Sequence, residues 1–251
     1  MDLGLKGRVA AITGGSRGIG LAIAELLSEE GAHVAVCARS EASLESIRNK
    51  GWLTVAADMT REEDAERFID ATIRKWSRLD ILVNNVGGSL GAGSFTSSSV
   101  EQWRAVFDAN VMSTLYASKA AIPHMQKACW GRIIHVSSVW GRESGGGSPY
   151  NAAKAAVISM SKSMAQDLAK DGILVNAVAP GSVWFPGGGW DKRMQEDPAR
   201  IEAFVKNNLP LGRFGKPEEV AAVVALLASE RSGLVTGSCW SMDGSQGKSN
   251  I

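Results

Sequence analysis

The chain offers little to any chemistry that depends on cysteine, on a surplus of one charge, or on a long apolar run. Its three cysteines, Cys37, Cys129 and Cys239, lie far apart within apolar stretches. They form neither a disulfide framework nor a metal-ligand spacing, so buried thiols in a reducing compartment are expected, with no metal. Lys and Arg number 27 against 26 Asp and Glu. That near balance leaves no basic face for a nucleic acid or an anionic membrane surface. No apolar run approaches the ~20 residues that cross a bilayer, and the longest, 220–228, reads as a buried helix. Residues 1–9 lack the apolar core of a signal peptide, which makes the cytoplasm the expected location. Tyrosine is scarce, with two in 251 residues, so each placement carries weight.

What is present is a regular alternation. Hydrophobic residues make up 45% of the chain, enough for a sizeable core. Strand-like runs fall at 8–13, 33–38, 53–57, 81–84, 132–137, 174–179 and 239–242. Helical periodicity occupies 18–30, the stretch through Leu44 and Ile47, 62–76, one long helix over 100–125, then 149–170 and 217–229. This spacing is that of βαβ crossovers. It predicts an α/β fold: a single-domain, doubly wound (Rossmann) parallel sheet of about seven strands with helices on both faces, spanning residues 1–251 without a linker. The rhythm breaks once. Residues 181–211 hold no strand, and an insertion of that length reads as a lid, at about 182–211.

The first strand runs into Thr13-Gly14-Gly15-Ser16-Arg17-Gly18-Ile19-Gly20, followed by a helix. Glycines permit a tight turn, and the helix start offers free N–H groups and a positive dipole end to a diphosphate. The second strand ends Ala38-Arg39-Ser40 with no acid to hold ribose hydroxyls. Arg39, with Arg17 in the turn, suits a 2′-phosphate instead. NADP(H) is therefore expected ahead of NAD(H).

Tyr150 and Lys154 are four residues apart on one helical face. A nearby ammonium favours tyrosinate, so Lys154 is expected to lower the Tyr150 pKa towards the working pH of a general acid/base. The strand ending at Ser137-Ser138 should point its carboxyl end into the same crevice, where a hydroxyl can hold a substrate oxygen.

Together these segments resemble the short-chain dehydrogenase/reductase superfamily over essentially the whole chain. Residues 13–20 match its T-G-x-x-x-G-I-G turn, Asn84-Asn85-Val86-Gly87 its N-N-A-G segment, and Pro180-Gly181 its P-G turn. The resemblance implies a catalytic set of Asn110, Ser138, Tyr150 and Lys154. Tyr150 would exchange the proton, Lys154 would lower its pKa and bind the nicotinamide ribose, Ser138 would hold the substrate oxygen, and Asn110 would anchor a water. It further implies cofactor contacts from Gly14, Ser16, Arg17, Gly18, Ile19, Gly20, Arg39, Ser40, Asp58, Met59, Asn85, Val86, Gly87, Pro180, Gly181 and Val183, with Asp58 at the adenine. Phe185 departs from the pattern, standing where members commonly carry a Thr that binds the nicotinamide amide.

The pattern is most similar to 3-oxoacyl-carrier-protein reductases, with a sugar or polyol dehydrogenase as the alternative. The expected partner is a small carbonyl or alcohol substrate, and the aromatics Trp140, Trp184, Phe185 and Trp190 either line its pocket or pack in the core or an interface. The resemblance also implies a homotetramer or dimer, built through the two long helices after the fourth and fifth strands and through the last strand. A non-catalytic NADPH sensor would not need the intact Ser138, Tyr150 and Lys154. A sugar-nucleotide epimerase would need a larger C-terminal part.

Overall fold

Val, Ile and Ala dominate the strand-like runs, and in the structure, a computed structural model describing residues 1–250, they form a sheet buried on both faces. In chain order the elements are β1 (Val9–Thr13), α1 (Gly18–Glu29), β2 (His33–Ala38), α2 (Glu41–Glu45), β3 (Leu53–Ala56), α3 (Glu62–Trp76) and β4 (Ile81–Asn84). Then come α4 (Val100–Phe107), α5 (Ser113–Ala128), β5 (Gly131–Val136), α6 (Ser148–Leu168), β6 (Ile173–Pro180), α7 (Gly189–Glu196), α8 (Pro198–Asn208), α9 (Pro217–Ala228) and β7 (Cys239–Met242). All seven strands are parallel, in the order β3-β2-β1-β4-β5-β6-β7. The order reverses at β1, and the crevice beyond the strand ends at such a reversal is where open α/β sheets bind ligands.

Successive side chains of a strand point to opposite faces, and β1 divides accordingly. Ala10 and Ile12 pack with Ile23 and Leu27 of α1 and Val224 and Leu227 of α9. Val9 and Ala11 pack with Phe68 and Ile69 of α3, Met125 of α5 and Ala165 of α6. Each such buried aliphatic side chain contributes about 1.5–3 kcal/mol over its exposed state. Asp80, just before β4, is buried and fully engaged. It accepts from Val9 N–H at 2.8 Å and from the Arg78 guanidinium at 2.6 and 2.8 Å.

The helix expected over 100–125 is interrupted. Between α4 and α5 the chain widens into a π-helical turn, Asp108–Met112. The side chains explain it: Asn110 Nδ2 donates to the Val106 carbonyl at 2.7 Å, and the Ser113 and Thr114 hydroxyls donate to the Ala109 and Asn110 carbonyls. These bonds compete with the regular backbone ladder, and π-turns are frequently found at functional sites. The cysteine expectation also needs correction. Cys37 is buried, but Cys129 is exposed in a left-handed cap after α5 and Cys239 is half-buried on the edge strand. No helix among the described residues is long and apolar enough to cross a membrane.

Candidate active site

The turn between β1 and α1 is stitched to the end of β4. Thr13 Oγ1 accepts from the Asn85 and Val86 N–H groups at 3.0 and 3.1 Å. Asn85 Nδ2 donates back to the Thr13 and Gly14 carbonyls at 3.0 and 3.1 Å. Gly14 and Gly18 take left-handed φ angles of 67° and 55°, which cost glycine little. At Gly20 a Cβ would collide with the Gly14 carbonyl and Asn85 Nδ2, and at Gly15 it would lie 2.6 Å from Val36 Cγ1. The extended Arg17 at the start of α1 lends no side-chain cap. The first-turn amides of α1, the groups with which a helix start binds an anion, are therefore not capped by the Arg17 side chain. A cradle held this closely, with uncapped amides, fits a dinucleotide diphosphate.

Around the turn, Ser16 and Ile19 are half-exposed, while Arg39 and Ser40 lie exposed at the end of β2. Among the described residues Arg39 has no ion-pair or hydrogen-bond partner, whereas Arg17 Nη1 donates to the Gly187 carbonyl at 3.4 Å. Asp58 Oδ1 accepts from the Thr60 amide and hydroxyl at 3.1 and 2.8 Å. Met59 is buried in the core. Ser40 Oγ caps α2 by accepting from the Ser43 amide at 3.4 Å.

The second half of the site forms where β5 meets α6. Pro149 in the first turn of α6 starts the helix without needing a donor, which places Tyr150 and Lys154 one turn apart. Ser137 Oγ donates to the Lys154 carbonyl at 2.9 Å, and Lys154 Nζ donates to the Val136 carbonyl at 2.8 Å. These two bonds lock α6 to the strand end. The Ser138 side chain neighbours the Tyr150 hydroxyl, and Lys154 Nζ lies 5.6 Å from the centre of the Tyr150 ring. Asn110 joins from the π-turn. It donates to the Gly88 carbonyl at 2.9 Å and accepts from the Gly88 amide at 3.0 Å. Gly87 sits between them, since a Cβ there would meet Asn110 Oδ1 and lie 3.0 Å from Lys154 Nζ. Ser138, Tyr150, Lys154 and Asn110 thus lie close together beyond the ends of β4 and β5.

The electrostatics differ from the sequence expectation. Burial pushes the Lys154 ammonium down to about 8. Burial also raises the Tyr150 hydroxyl above its ordinary value, and the neighbouring Ser138 side chain only partly opposes this. Desolvation of the Tyr150 hydroxyl thus decides the direction of its shift, and burial weakens the charge that Lys154 would set against it.

The P-G turn is pinned from the C-terminal side. Gly181 donates to the Met242 carbonyl, and the Ser182 amide donates to Gln246 Oε1 at 2.7 Å. Val183 is buried and bridges Gly215. The stretch after it contains α7 and α8, neither foreseen in the strandless 181–211 segment. Trp190 does not turn to the crevice alone: it stacks on Phe204 at 4.5 Å and tilts against Phe214 at 5.1 Å. Sequence reasoning also missed the anchoring role of Glu143, which accepts from the Lys248 and Ser249 amides at 2.6 and 2.7 Å. A lone acid near a Gly-rich loop carries no signal for that.

Residues 14–245 match the family described as enoyl-(acyl carrier protein) reductase. The 3-oxoacyl-acyl-carrier-protein reductase of Vibrio cholerae is 38% identical over 249 residues, covering 96% of this chain and 98% of that protein. The L-fucose dehydrogenase of Bos taurus is 36% identical over 229 residues, covering 89% and 84% respectively. Among solved structures, L-sorbose reductase from Gluconobacter frateurii, complexed with NADPH and L-sorbose, superposes with a TM-score of 0.92 at 32% identity, covering 99% of this chain and 100% of that one. A match of this extent, on a parallel seven-stranded sheet with the Gly-rich turn at its reversal point, has one meaning: the chain belongs to the short-chain dehydrogenase/reductase family of oxidoreductases.

Proposed function

We propose that the chain is an NADP(H)-dependent oxidoreductase that interconverts a carbonyl and a secondary alcohol, with Tyr150 as general acid/base. One observation carries this reading: the Tyr150 ring lies 5.6 Å from the buried Lys154 ammonium, with the Ser138 side chain beside its hydroxyl. The nicotinamide supplies or takes up the hydride. Ser138 holds the substrate oxygen, and Tyr150 gives its hydroxyl proton to that oxygen in the reducing direction or accepts it in the oxidising one. Lys154, charged below about pH 8, favours the anion that Tyr150 becomes and binds the nicotinamide ribose. Asn110 anchors a water that leads protons to Lys154.

Arg39, exposed and unpaired among the described residues, supports the preference for a 2′-phosphate over a free ribose hydroxyl. We further propose that residues 1–251 act as one domain with a lid at about 182–211. The relatives include both acyl-carrier-protein reductases and sugar dehydrogenases. A 3-oxoacyl thioester is our first substrate class, and a sugar or polyol is the second, supported by the L-sorbose complex of a structural neighbour. A cytoplasmic setting and a homotetramer or dimer built through α5, α6 and β7 complete the reading. The deciding experiment is NADPH oxidation by the purified protein against ketones, 3-oxoacyl thioesters and sugars. Turnover abolished by Tyr150→Phe supports the proposal. Dinucleotide binding without turnover on any class favours a sensor.

A further inference from the structure

Within the 14–20 turn, Gly18 has the Phe185 ring against it. A methyl group built on Gly18 would lie 2.7 Å from Phe185 Cε2 and Cζ and 2.8 Å from Cε1. Carbon atoms in comfortable contact stand about 3.5–4.0 Å apart, so only the missing side chain of Gly18 lets the ring rest there. The segment carrying the ring is braced. The Phe185 carbonyl accepts from the Gly188 amide at 3.0 Å, and the Gly187 amide donates to Asp191 Oδ2 at 2.8 Å. A second, polar contact pulls the same way, since Arg17 donates to the Gly187 carbonyl. One apolar and one polar contact therefore bring the start of the lid onto the residues at the start of α1.

We propose that Phe185 fills the diphosphate seat of the unliganded chain, so that a dinucleotide must move the ring off Gly18 in order to bind. This rests on the reading of residues 14–20 as a dinucleotide-binding turn. The amides of α1 and the ring compete for one volume: an anion needs the amides bare, and an aromatic edge excludes both anion and water from them. The competition is blind to the 2′ position, because the diphosphate is common to NADPH and NADH. Choice between those two stays with Arg39. If the ring stands clear in roughly a tenth of the molecules, the observed affinity is about tenfold weaker than that of an open turn. The ring also links the two halves of the site, because residues 184–188 are the entry to the lid and move with it. Cofactor arrival and lid position become one event.

The test is titration of Phe185→Ala and Phe185→Leu with NADPH, NADH and ADP, read by tryptophan fluorescence, for which Trp184 is an adjacent probe. Phe185→Ala should bind all three about ten times more tightly than the parent. ADP is included because it carries the diphosphate without the nicotinamide. Phe185→Leu, which keeps part of the bulk, should fall between, and it carries the test alone if the Ala variant does not fold. Tighter NADPH and NADH with unchanged ADP would place the ring at the nicotinamide and overturn the proposal. Unchanged or weaker binding of all three by folded variants would make the ring a support and overturn it equally. If the parent and both variants bind none of the three, the dinucleotide reading itself falls and takes the proposal with it.

Discussion

The Asn84 side-chain nitrogen stands 3.1 Å from His135 Nδ1 and 3.0 Å from Ser118 Oγ, a polar triangle inside the sheet where β4 and β5 pair. An amide nitrogen has only hydrogens to offer, so His135 Nδ1 accepts and the ring proton sits on Nε2. That Nε2 is buried with no partner. Charging the imidazole would set a second N–H against the amide in a dry site. Burial, reinforced by the Lys154 charge, pushes His135 down to about 3.

A histidine depressed in this way destabilises the chain in acid. Between about pH 6.5 and 3 the unfolded chain binds a proton that the folded chain refuses. Stability therefore falls as pH falls through that window, by up to ~1.4 kcal/mol per pH unit. His135→Met should lower stability at pH 7, because Asn84 loses an acceptor, yet flatten the acid slope. Urea unfolding at pH 7 and 4.5 measures both, and the parent should lose about 2 kcal/mol more than the variant between them. Parallel losses would show that His135 does not carry the acid sensitivity.

Tyr150→Phe removes the proton donor and little else. Positioned general acids contribute about 10²–10⁴ in rate, so kcat should fall by that factor on whichever substrate the parent reduces. Affinity for the dinucleotide should change less than threefold by the same argument. Steady-state NADPH oxidation and a direct binding titration separate the two quantities. A variant that keeps its kcat would take the proton-transfer role away from Tyr150.

Arg39→Asp addresses the 2′-phosphate. Hydrogen bonds to charged groups contribute about 1.5–3 kcal/mol, which corresponds to roughly a 10- to 100-fold loss of NADPH affinity. NADH, lacking the phosphate, should bind as before or somewhat better, since an acid at this position suits ribose hydroxyls. Equal weakening of both cofactors would move the 2′ subsite elsewhere.

The sheet was readable from sequence because parallel strands buried on both faces are continuous Val, Ile and Ala runs, as in Val9–Thr13 and His33–Ala38. The Gly-rich turn and the Tyr150–Lys154 pair were readable because each depends on spacing along one local element. What escaped depended on contacts between distant segments. The break at Asp108–Met112 comes from side chains that bond their own backbone, which apolar periodicity does not register. Helices α7 and α8 were hidden behind Gly187-Gly188-Gly189, although Asp197 before Pro198 was an available start signal: it accepts from the Arg200 amide at 3.0 Å. The ring of Phe185 on Gly18 spans 167 positions of sequence and left no trace in either segment.

Lys154 gives the last prediction. Its folded pKa, about 8, lies below the ordinary 10.5 because the ammonium is buried. Between those values the unfolded chain holds a proton that the folded chain has released, so stability climbs with pH across that interval, by up to roughly 1.4 kcal/mol per unit. Below pH 8 both states are charged and the full desolvation cost is present. Lys154→Met, of similar reach and without charge, should therefore stabilise the unliganded chain most below pH 8, with the advantage shrinking as pH rises to 10.5. The lost bond to the Val136 carbonyl subtracts a constant that does not vary with pH. Thermal melts of both proteins at pH 7 and 9.5, without cofactor, decide the matter. An advantage that stays the same at both pH values would mean that Lys154 is not the group whose charge the folded site resists. An advantage that shrinks would place a stability cost on the same ammonium that the proposed proton transfer needs, which is the trade expected where a site is built for activity and not for rigidity.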